Sequence, residues 1–208
     1  MTNDIKLKRY GRNPVITPAD VPPSAEGFEV AGAFNPGAAT FRGEIILLLR
    51  VAERCTQPDS ESIRVPTYTI NNGKGTPEIK TFRLSDPDVK LKDTRGVVYR
   101  GTDYLSTISH IRVARSRDGE NFTVDQKPFI CPSFNDEVYG VEDARVVFID
   151  EAYYINYTAV SAQGWCTALA RTSDFQHYER LGIIFHPENK DVAIFPEKIG
   201  SMYAALHR

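Results

Sequence analysis

The sequence predicts an all-β chain, and two observations carry this prediction. Runs rich in aromatic and β-branched residues alternate with short polar turns, as at 44–51 and 153–158. A longer motif also repeats: Ala-Arg-Ser-Arg-Asp-Gly at 114–119 returns as Ala-Arg-Thr-Ser-Asp-Phe at 170–175, an offset of 56 residues. Strand-built repeats of roughly 40 to 50 residues are typical of a β-propeller, in which each repeat is one four-stranded blade. A two-sheet sandwich, the alternative all-β interpretation, predicts no such repeat.

Composition places the chain among globular proteins and excludes several classes of partner. Its 208 residues are 41% hydrophobic and 25% charged, which is enough for a sizeable core. A net charge of -2 argues against nucleic acid or an anionic membrane as partner. No signal-like or membrane-spanning apolar run occurs, so we predict a cytoplasmic protein. Cys55, Cys131 and Cys166 are odd in number and far apart, which favours free thiols and predicts no metal site.

The first elements are an arm and a hairpin. Residues 1–30 are polar and contain four prolines, so we expect an arm laid over a single propeller domain that occupies 31–208. The first strong strands are 33–41 and 44–51, joined by a turn at 42–43. The second of these strands is too continuously apolar to face water.

The middle and end of the chain supply the later strands. Residues 56–95 are polar and are interpreted as an excursion that carries one short hairpin. The run 108–116 alternates and ends in a turn, as an outer strand would, and His110 within it is interpreted as a strand-face histidine. Further hairpins are predicted around the turn at 150–151 and within 193–206.

Three charged residues interrupt the β-forming run Gly-Val-Glu-Asp-Ala-Arg at 140–145. Strand alternation predicts that Glu142 and Ala144 share one face while Asp143 and Arg145 share the other. An ion pair at the end of a strand is the structural interpretation of these charges.

The repeat offers a functional interpretation of the same charges. Asn35, Asp143 and Glu197 occupy the same place in three successive repeats, shortly before a hairpin turn. Because the first strand of each blade lines the central channel, we expect these groups to converge on one pit. The chain ends partway through the third repeat, and closure needs at least four blades, so we expect about three blades of a longer propeller.

These motifs resemble those of glycoside hydrolase family 130, five-bladed β-propellers that cleave β-mannosides, mostly by phosphorolysis. The resemblance covers nearly all of the chain, and its form at 27–33 and 104–110 is most similar to members that act on β-1,2-mannosides. It implies an inverting phosphorylase that uses inorganic phosphate as co-substrate and no cofactor, and that releases α-mannose 1-phosphate. A homo-oligomer is left open. The matching motifs are at 35–38, 47–51, 109–119, 140–145, 189–191, 195–199 and 206–208.

The resemblance also assigns candidate site residues. Asp103 occupies the place of the general acid, where a buried carboxyl with a raised pKa would hold a proton; a turn Asp after Gly101 is the alternative. The positions that match the phosphate site are Arg145, Lys190 and His207. Their structural alternatives are an Arg145–Asp143 pair, a Lys190–Asp191 pair and a packed His207. Candidate substrate-binding residues are Asn35, Arg50, Tyr104, Glu142, Asp143, Asp191 and Glu197.

The sequence departs from the phosphorylase pattern at one place. Members of the family that use phosphate carry a further arginine after the hairpin that ends here near Ser161, and Ala-Gln-Gly-Trp-Cys at 162–166 supplies none. An inverting β-1,2-mannosidase is therefore the alternative, with Glu142 or Glu197 positioning water. A non-catalytic carbohydrate-binding propeller, with Tyr104 and Trp165 as aromatic platforms, is the third hypothesis.

Overall fold

The computed structural model describes residues 9–57, 60–93 and 95–208, and within these ranges the chain is built of strands with two short 3-10 helices and no α-helix. The helices are Pro18–Asp20 and Asn135–Glu137. In chain order the strands are β1 (Phe28–Phe41), β2 (Glu44–Cys55), β3 (Ser62–Asn71), β4 (Lys74–Arg83), β5 (Val89–Lys92), β6 (Gly96–Tyr99), β7 (Thr102–Leu105), β8 (Ile108–Ser116), β9 (Thr123–Val124), β10 (Gly140–Ile149), β11 (Ala152–Ser161), β12 (Gly164–Thr172), β13 (Glu179–Phe185), β14 (Ala193–Ile194) and β15 (Ala205–Leu206).

Two complete blades and the beginning of a third confirm the predicted architecture. The first blade is the antiparallel set β1, β2, β8 and β9, and the second is β10, β11, β12 and β13. The pairing of β14 with β15 starts a third repeat. The hairpin turns fall at 42–43 and 150–151 as predicted, and all four of those turn residues have positive φ, which suits a two-residue hairpin turn.

The repeated Ala-Arg-[Ser/Thr]-x-Asp motif marks the same turn in both blades. It lies at the end of the third strand, where the hydroxyls of Ser116 and Thr172 accept hydrogen bonds from backbone amides two and three residues ahead. Asp118 and Asp174 in turn accept from the amides two and three residues beyond themselves. These local bonds stabilise the turn to the fourth strand, so the motif repeats for a structural reason.

The excursion between β2 and β8 is larger than the sequence predicted. It contains a hairpin of two ten-residue strands, β3 and β4, and a separate antiparallel sheet, β5–β6–β7, that continues to Leu105. Proline at positions 66 and 77 and several charged residues obscured the strand pattern in this stretch.

The alternating run 108–116 predicted that β8 is an outer strand with one face exposed to solvent. This prediction was wrong. Eight of its nine residues are buried, including Ser109, His110 and Arg112. Ile111 and Val113 pack in the core between the blades, whereas Ile108 packs with Tyr68 of the excursion hairpin. The excursion therefore covers a face that an isolated blade would leave exposed.

The two blades share one core and approach closely at their inner strands. Ile46 and Leu48 of the first blade pack with Val141, Ile155 and Tyr157 of the second. A Cβ at Gly37 of β1 would lie 2.5 Å from the carbonyl oxygen of Ala144 in β10. Glycine is therefore required where the inner strands meet.

The described part of the arm lies on the first blade. Ile16 and Val21 pack against Leu49 and Val51 of β2. At the opposite end of the chain, several apolar side chains of the third repeat are exposed: Ile199, Met202, Tyr203 and Leu206. The described ranges contain no helix that could traverse a lipid bilayer.

Candidate active site

Two matching β-bulges bring the polar groups of the inner strands together. The register of β1 against β2 shifts between Phe34 and Gly37, and that of β10 against β11 shifts between Glu142 and Arg145. Asn35 in the first bulge has φ 47° and Asp143 in the second has φ 50°. Both are therefore in the left-handed region, which Asn and Asp adopt more readily than other side chains.

The bulge in β10 overturns the predicted alternation of side chains. Glu142 and Asp143 were expected on opposite faces, yet both contact Arg50 of β2. The extra residue breaks the period of two, so consecutive carboxylates turn toward the same space. No ion pair joins Asp143 to Arg145 in the part of the chain that the structure describes, so the expected strand-end pair between them does not form.

The guanidinium of Arg50 binds both carboxylates of this cluster. Its Nη2 lies 2.6 Å from Oε1 of Glu142, and its Nη1 lies 3.3 Å from Oδ1 of Asp143. Its Nε donates to Oγ of Ser109 at 3.2 Å, and Asn35 Nδ2 donates to Oδ1 of Asp143 at 3.1 Å. The planar guanidinium thus holds polar groups of both blades in one fixed arrangement: Ser109 of the first blade, and Glu142 and Asp143 of the second.

The environment of Glu142 favours its protonated form. Burial raises the pKa of this carboxyl, and the neighbouring charge of Asp143 acts in the same direction. Arg50 is the main opposing influence, followed by the hydrogen bond from Ser109 and the charge of Lys190.

Asp103 does not occupy the buried position that was expected of the acid. It lies in β7 opposite Val98, within a strand rather than in the turn after Gly101. Its side chain is 47% exposed, and its carboxylate oxygens are 3.1 and 3.2 Å from Nζ of Lys92. The carboxylate of Asp103 is therefore paired with Lys92 and is not buried away from water.

The backbone of Asp103 is fixed by a buried tyrosine. The hydroxyl of Tyr139 donates a hydrogen bond to the carbonyl oxygen of Asp103. Burial raises the pKa of Tyr139 to about 12, with smaller contributions from Tyr104 and Asp103, so the hydroxyl stays protonated and able to donate. Tyr139 directly precedes β10, and it therefore ties the excursion sheet to the second blade.

Asp103 opens into a cleft of about 410 Å³, which is referred to below as the acid cleft. The cleft is also lined by Tyr139, by Gln163 and Trp165 from the β11–β12 hairpin, and by Glu188. The stretch 162–166, in which the sequence lacked the expected arginine, therefore borders the candidate acid with an amide and an indole ring.

Lys190 reaches the same indole. Its Nζ lies 5.2 Å from the ring centroid of Trp165, a cation–π geometry. Asp191, which the structural alternative paired with Lys190, is bound by Arg208 at 2.6 Å instead. Lys190 therefore has its charge on the Trp165 side of the acid cleft.

The other two predicted phosphate ligands lie near the same loop. His207 Nδ1 is 2.8 Å from Nδ2 of Asn189, and its ring stacks on Phe185 with centroids 4.6 Å apart. Arg145 is exposed and sits opposite Asn156 of β11, whose amide donates to the carbonyl oxygen of Val192 at 2.8 Å. The loop 189–192 thus contacts both His207 and the strand facing Arg145.

One predicted site residue, Glu197, lies apart from the cluster around Arg50. Glu197 is exposed, and within the described ranges no hydrogen bond or ion pair connects it to Arg50, Glu142 or Asp143. Its neighbour Lys198 is bound to Asp150, 3.2 Å away. The expected convergence therefore holds for the first two repeats, where the bulges occur, and not for Glu197.

The cysteines and metal-binding groups add no chemistry to this site. Cys55, Cys131 and Cys166 are free, and burial raises the pKa of each thiol to about 11. Protonated thiols are poor nucleophiles. Among the residues described, no three His, Cys, Asp or Glu side chains are grouped to hold a metal ion.

Comparison with known proteins decides the family. Residues 53–208 match the model of glycoside hydrolase family 130, described as β-1,4-mannooligosaccharide phosphorylase. The chain belongs to glycoside hydrolase family 130. Its members are five-bladed β-propellers, of which this chain supplies two blades and the start of a third.

Similar members of family 130 include two named phosphorylases, one of which has a solved structure. A β-1,2-mannobiose phosphorylase of Listeria innocua is 48% identical over 98% of this chain, and the chain spans 58% of that relative. The structure of that phosphorylase in complex with β-1,2-mannobiose superimposes with a TM-score of 0.86, covering 96% of this chain and 57% of the other. A 1,2-β-oligomannan phosphorylase of Thermoanaerobacter is 36% identical over 54% of this chain and 41% of its own length.

Several residues around the candidate site were missed at the sequence level. Ser109 and Lys92 are polar residues in strands of ordinary composition, and only long-range pairing brings them to Arg50 and Asp103. Tyr139 carried a usable signal, because it immediately precedes the charged motif at 140–145. Gln163 lies within 162–166, the stretch that lacks the expected arginine, so that departure already pointed to this part of the chain.

Proposed function

We propose that the whole protein is an inverting phosphorylase that cleaves β-mannosides, with the β-1,2 linkage as its substrate, and releases α-mannose 1-phosphate. The names of the similar phosphorylases support this proposal, since two of them specify β-1,2-mannobiose and one specifies 1,2-β-oligomannan. The chain spans little more than half of the first of these relatives, so the activity of the whole protein is inferred from this part of the site.

One observation carries the proposal: an acid lines a cleft, and a cation contacts an aromatic ring that lines the same cleft. Asp103 and Trp165 both line the acid cleft, and Nζ of Lys190 lies 5.2 Å from the centroid of the Trp165 ring. Phosphorolysis needs a proton donor for the departing oxygen and a positive site for the attacking anion. A carbohydrate-binding propeller would need the aromatic wall but neither charge.

The proposed reaction assigns a role to each group. Asp103 donates its proton to the glycosidic oxygen as the bond from that oxygen to the anomeric carbon breaks. Phosphate, held by Arg145, Lys190 and His207, forms the new bond to the anomeric carbon from the opposite face, which inverts its configuration. Phosphate then supplies the proton that restores Asp103. Arg50 keeps Glu142 and Asp143 in place to bind sugar hydroxyls.

Entry of substrate has to separate Asp103 from Lys92. The exposed pair is screened by water and contributes little to stability, so a ligand can displace it at small cost. A sugar ring in the cleft would exclude water from Asp103. We propose that the protein acts in the cytoplasm, with inorganic phosphate as co-substrate and without a cofactor, and that a homo-oligomer is compatible with these roles.

The decisive experiment is an assay of the whole protein on β-1,2-mannobiose with and without inorganic phosphate. We expect α-mannose 1-phosphate and free mannose only when phosphate is present. Release of mannose at full rate without phosphate would replace the proposal with the β-1,2-mannosidase. Binding without cleavage under either condition would support the carbohydrate-binding propeller. β-1,4-Mannobiose is the matched substrate, because the family description names that linkage.

A further inference from the structure

The strand that carries Asp103 belongs to a sheet of its own. Strands β5, β6 and β7 form a separate three-stranded sheet within the excursion. The sheet packs on the excursion hairpin, where the ring centroid of Phe82 in β4 lies 5.2 Å from that of Tyr104 in β7. Along the chain, β7 ends at Leu105 and β8 of the first blade begins at Ile108. Strand pairing within the blades therefore does not set the position of Asp103.

A hydrogen bond joins the backbone of Asp103 directly to the second blade. The hydroxyl of Tyr139 donates to the carbonyl oxygen of Asp103, and Tyr139 itself is only 4% exposed. The carboxylate of Asp103 takes no part in this bond and contacts Lys92 instead. The bond can therefore hold the main chain of the acid while its carboxylate exchanges Lys92 for a ligand.

Tyr139 presents its hydroxyl from a main chain that both blades hold. Its amide donates to the carbonyl oxygen of Val160 in β11 at 2.9 Å. The next residue, Gly140, pairs with Ser109 of β8, and a Cβ at Gly140 would lie 2.5 Å from the backbone nitrogen of Ser109. The backbone at Tyr139 and Gly140 is therefore fixed against rigid neighbours on both sides.

The same segment leads into the cluster around Arg50. Glu142 follows in β10, and its Oε1 lies 2.6 Å from Nη2 of Arg50. Tyr139 thus links the main chain of Asp103 to the strand that carries these carboxylates. Proton donation requires the acid within hydrogen-bond reach of the departing oxygen, and a misplacement of about 1 Å can cost about a hundredfold in rate.

We propose that Tyr139 is a positioning residue, whose hydroxyl sets the placement of Asp103 relative to the cluster around Arg50. A sugar bound by the cluster then has its glycosidic oxygen within reach of the acid. This inference rests on the proposed function, which makes Asp103 the proton donor and the cluster a sugar site.

The test replaces Tyr139 by phenylalanine in the whole protein, which removes the hydroxyl and keeps the buried ring. We expect Tyr139→Phe to lower kcat on β-1,2-mannobiose about tenfold, the scale of one lost hydrogen bond, with little change in KM. On dinitrophenyl β-mannoside, whose leaving group departs without a proton, we expect little or no loss. The ratio of the two rates in one preparation does not depend on the folded fraction, so it separates positioning from a loss of stability.

Tyr153→Phe is the matched control. The hydroxyl of Tyr153 also donates to a backbone carbonyl of another strand, that of Thr40, at 2.5 Å. Tyr153 is near the hairpin turn at 150–151, whereas Val160 and Ser161, which line the acid cleft, are at the other end of β11. We expect Tyr153→Phe to leave the ratio of the two rates unchanged. Equal losses on the two substrates in Tyr139→Phe, no loss on mannobiose, or the same split in both variants would overturn the inference.

A double-mutant cycle shows whether Tyr139 acts through the acid. Adding Tyr139→Phe to Asp103→Asn should bring no further loss of kcat on mannobiose, because the proton donor is already absent. A further loss of the same size in that background would overturn the positioning role and leave the proposed reaction intact.

Failure of the proposed reaction has a different signature. Cleavage of mannobiose at full rate without phosphate would replace phosphorolysis by hydrolysis, yet the split between the two substrates would still support Tyr139, since an inverting mannosidase also needs its acid. Near-normal turnover of mannobiose by Asp103→Asn would overturn both the assignment of the acid and the role of Tyr139.

Discussion

Asp103 is the residue for which the sequence and the structure differ most in their chemistry. Its strand position and its place in the acid cleft agree with an acid, whereas its exposure and its contact with Lys92 are those of a surface ion pair. The difference arises because the sequence does not show that β5 places Lys92 beside Asp103. A ligand that reaches the carboxylate of Asp103 must therefore displace Lys92.

Replacing the acid tests its role directly. We expect Asp103→Asn to lower kcat by about a hundredfold or more on an unactivated mannoside, because proton donation acts in the transition state. Steady-state kinetics on β-1,2-mannobiose measures this. The control is Asp88→Asn, which removes a comparable exposed ion pair with Arg100 from the same excursion. Turnover close to that of the control would remove Asp103 from the mechanism.

Arg145 distinguishes a phosphate site from a structural contact. Asp143, its suspected partner, is bound to Arg50 and Asn35 instead. Loss of one charge-assisted hydrogen bond costs about 1.5 to 3 kcal/mol, so Arg145→Ala should raise the KM for phosphate about ten- to a hundredfold.

Two further variants check the interpretation of Arg145. Arg145→Lys should recover little of the affinity, because a point charge cannot reproduce the guanidinium fork. Arg117→Ala, at an arginine whose side chain is 86% exposed, serves as the control for loss of surface charge. If Arg145→Ala lowered the melting temperature and left the KM for phosphate unchanged, Arg145 would be structural.

At the scale of elements, the inner strands of the two blades approach each other closely at the backbone, in addition to the side-chain hydrogen bond between Asn35 and Asp143. Gly37 in the β1 bulge faces the carbonyl oxygen of Ala144 in β10. A methyl group there meets rigid backbone, which cannot move aside as the end of a flexible side chain would. The geometry of the bulges and the distance between the blades therefore depend on each other.

Gly37→Ala should destabilise the fold by about 1 to 3 kcal/mol, the usual cost of overpacking. Denaturant unfolding monitored by circular dichroism measures the change. Gly11→Ala is the control, because no atom lies within 4 Å of a Cβ at that position. Unfolding free energies that agree for the two variants would contradict the close approach of the strands.

At the scale of the molecule, a buried group of three polar side chains, Glu53, His110 and Arg112, connects the arm with β2 and β8. Glu53 of β2 accepts a hydrogen bond from the backbone amide of Ser24 in the arm, at 2.6 Å. His110 of β8 accepts at Nε2 from Nε of Arg112, at 3.0 Å, so its proton is on Nδ1, which lies 3.9 Å from Glu53. Arg112 also donates to the carbonyl oxygen of Gln126 at 2.9 Å.

This group makes the stability of the molecule depend on pH. Burial, and to a smaller extent Arg112, lowers the pKa of His110 from 6.5 to about 3. Between these values the unfolded chain binds a proton that the folded chain does not, so the free energy of unfolding falls as pH decreases from about 6.5 toward 3. Well inside that window the slope is about 1.4 kcal/mol per pH unit.

His110→Gln tests this dependence, because glutamine keeps an acceptor for Arg112 and has no proton to gain. We expect its unfolding free energy to fall less steeply than that of the wild type between pH 6.5 and about 4.5, as measured by denaturant titration. The exposed His177 provides the control variant His177→Gln. Parallel slopes in the wild type and His110→Gln would contradict the neutral buried histidine.

Sequence patterns predicted the features of this molecule that depend on local chemistry. The turns at 42–43 and 150–151 and the repeated motif at Asp118 and Asp174 involve neighbours in the chain, and all were correctly placed. The site depended on the resemblance for its residues and on the structure for its geometry. Alternation assigned Glu142 and Asp143 to opposite faces because a bulge leaves no clear sign in composition, and the burial of β8 depended on packing by a distant excursion.

The paired bulges have a consequence for how this site can change over time. In a regular strand, side chains alternate between the two faces of the sheet, so their positions are tied to the packing of the core. Altering one of these residues therefore disturbs packing on the other side of the sheet. Asn35 and Asp143 have left that alternation; their side chains are hydrogen-bonded to each other, and Asp143 is also bound to Arg50. New specificities can therefore arise at these two positions while the blades beneath them keep their sequence.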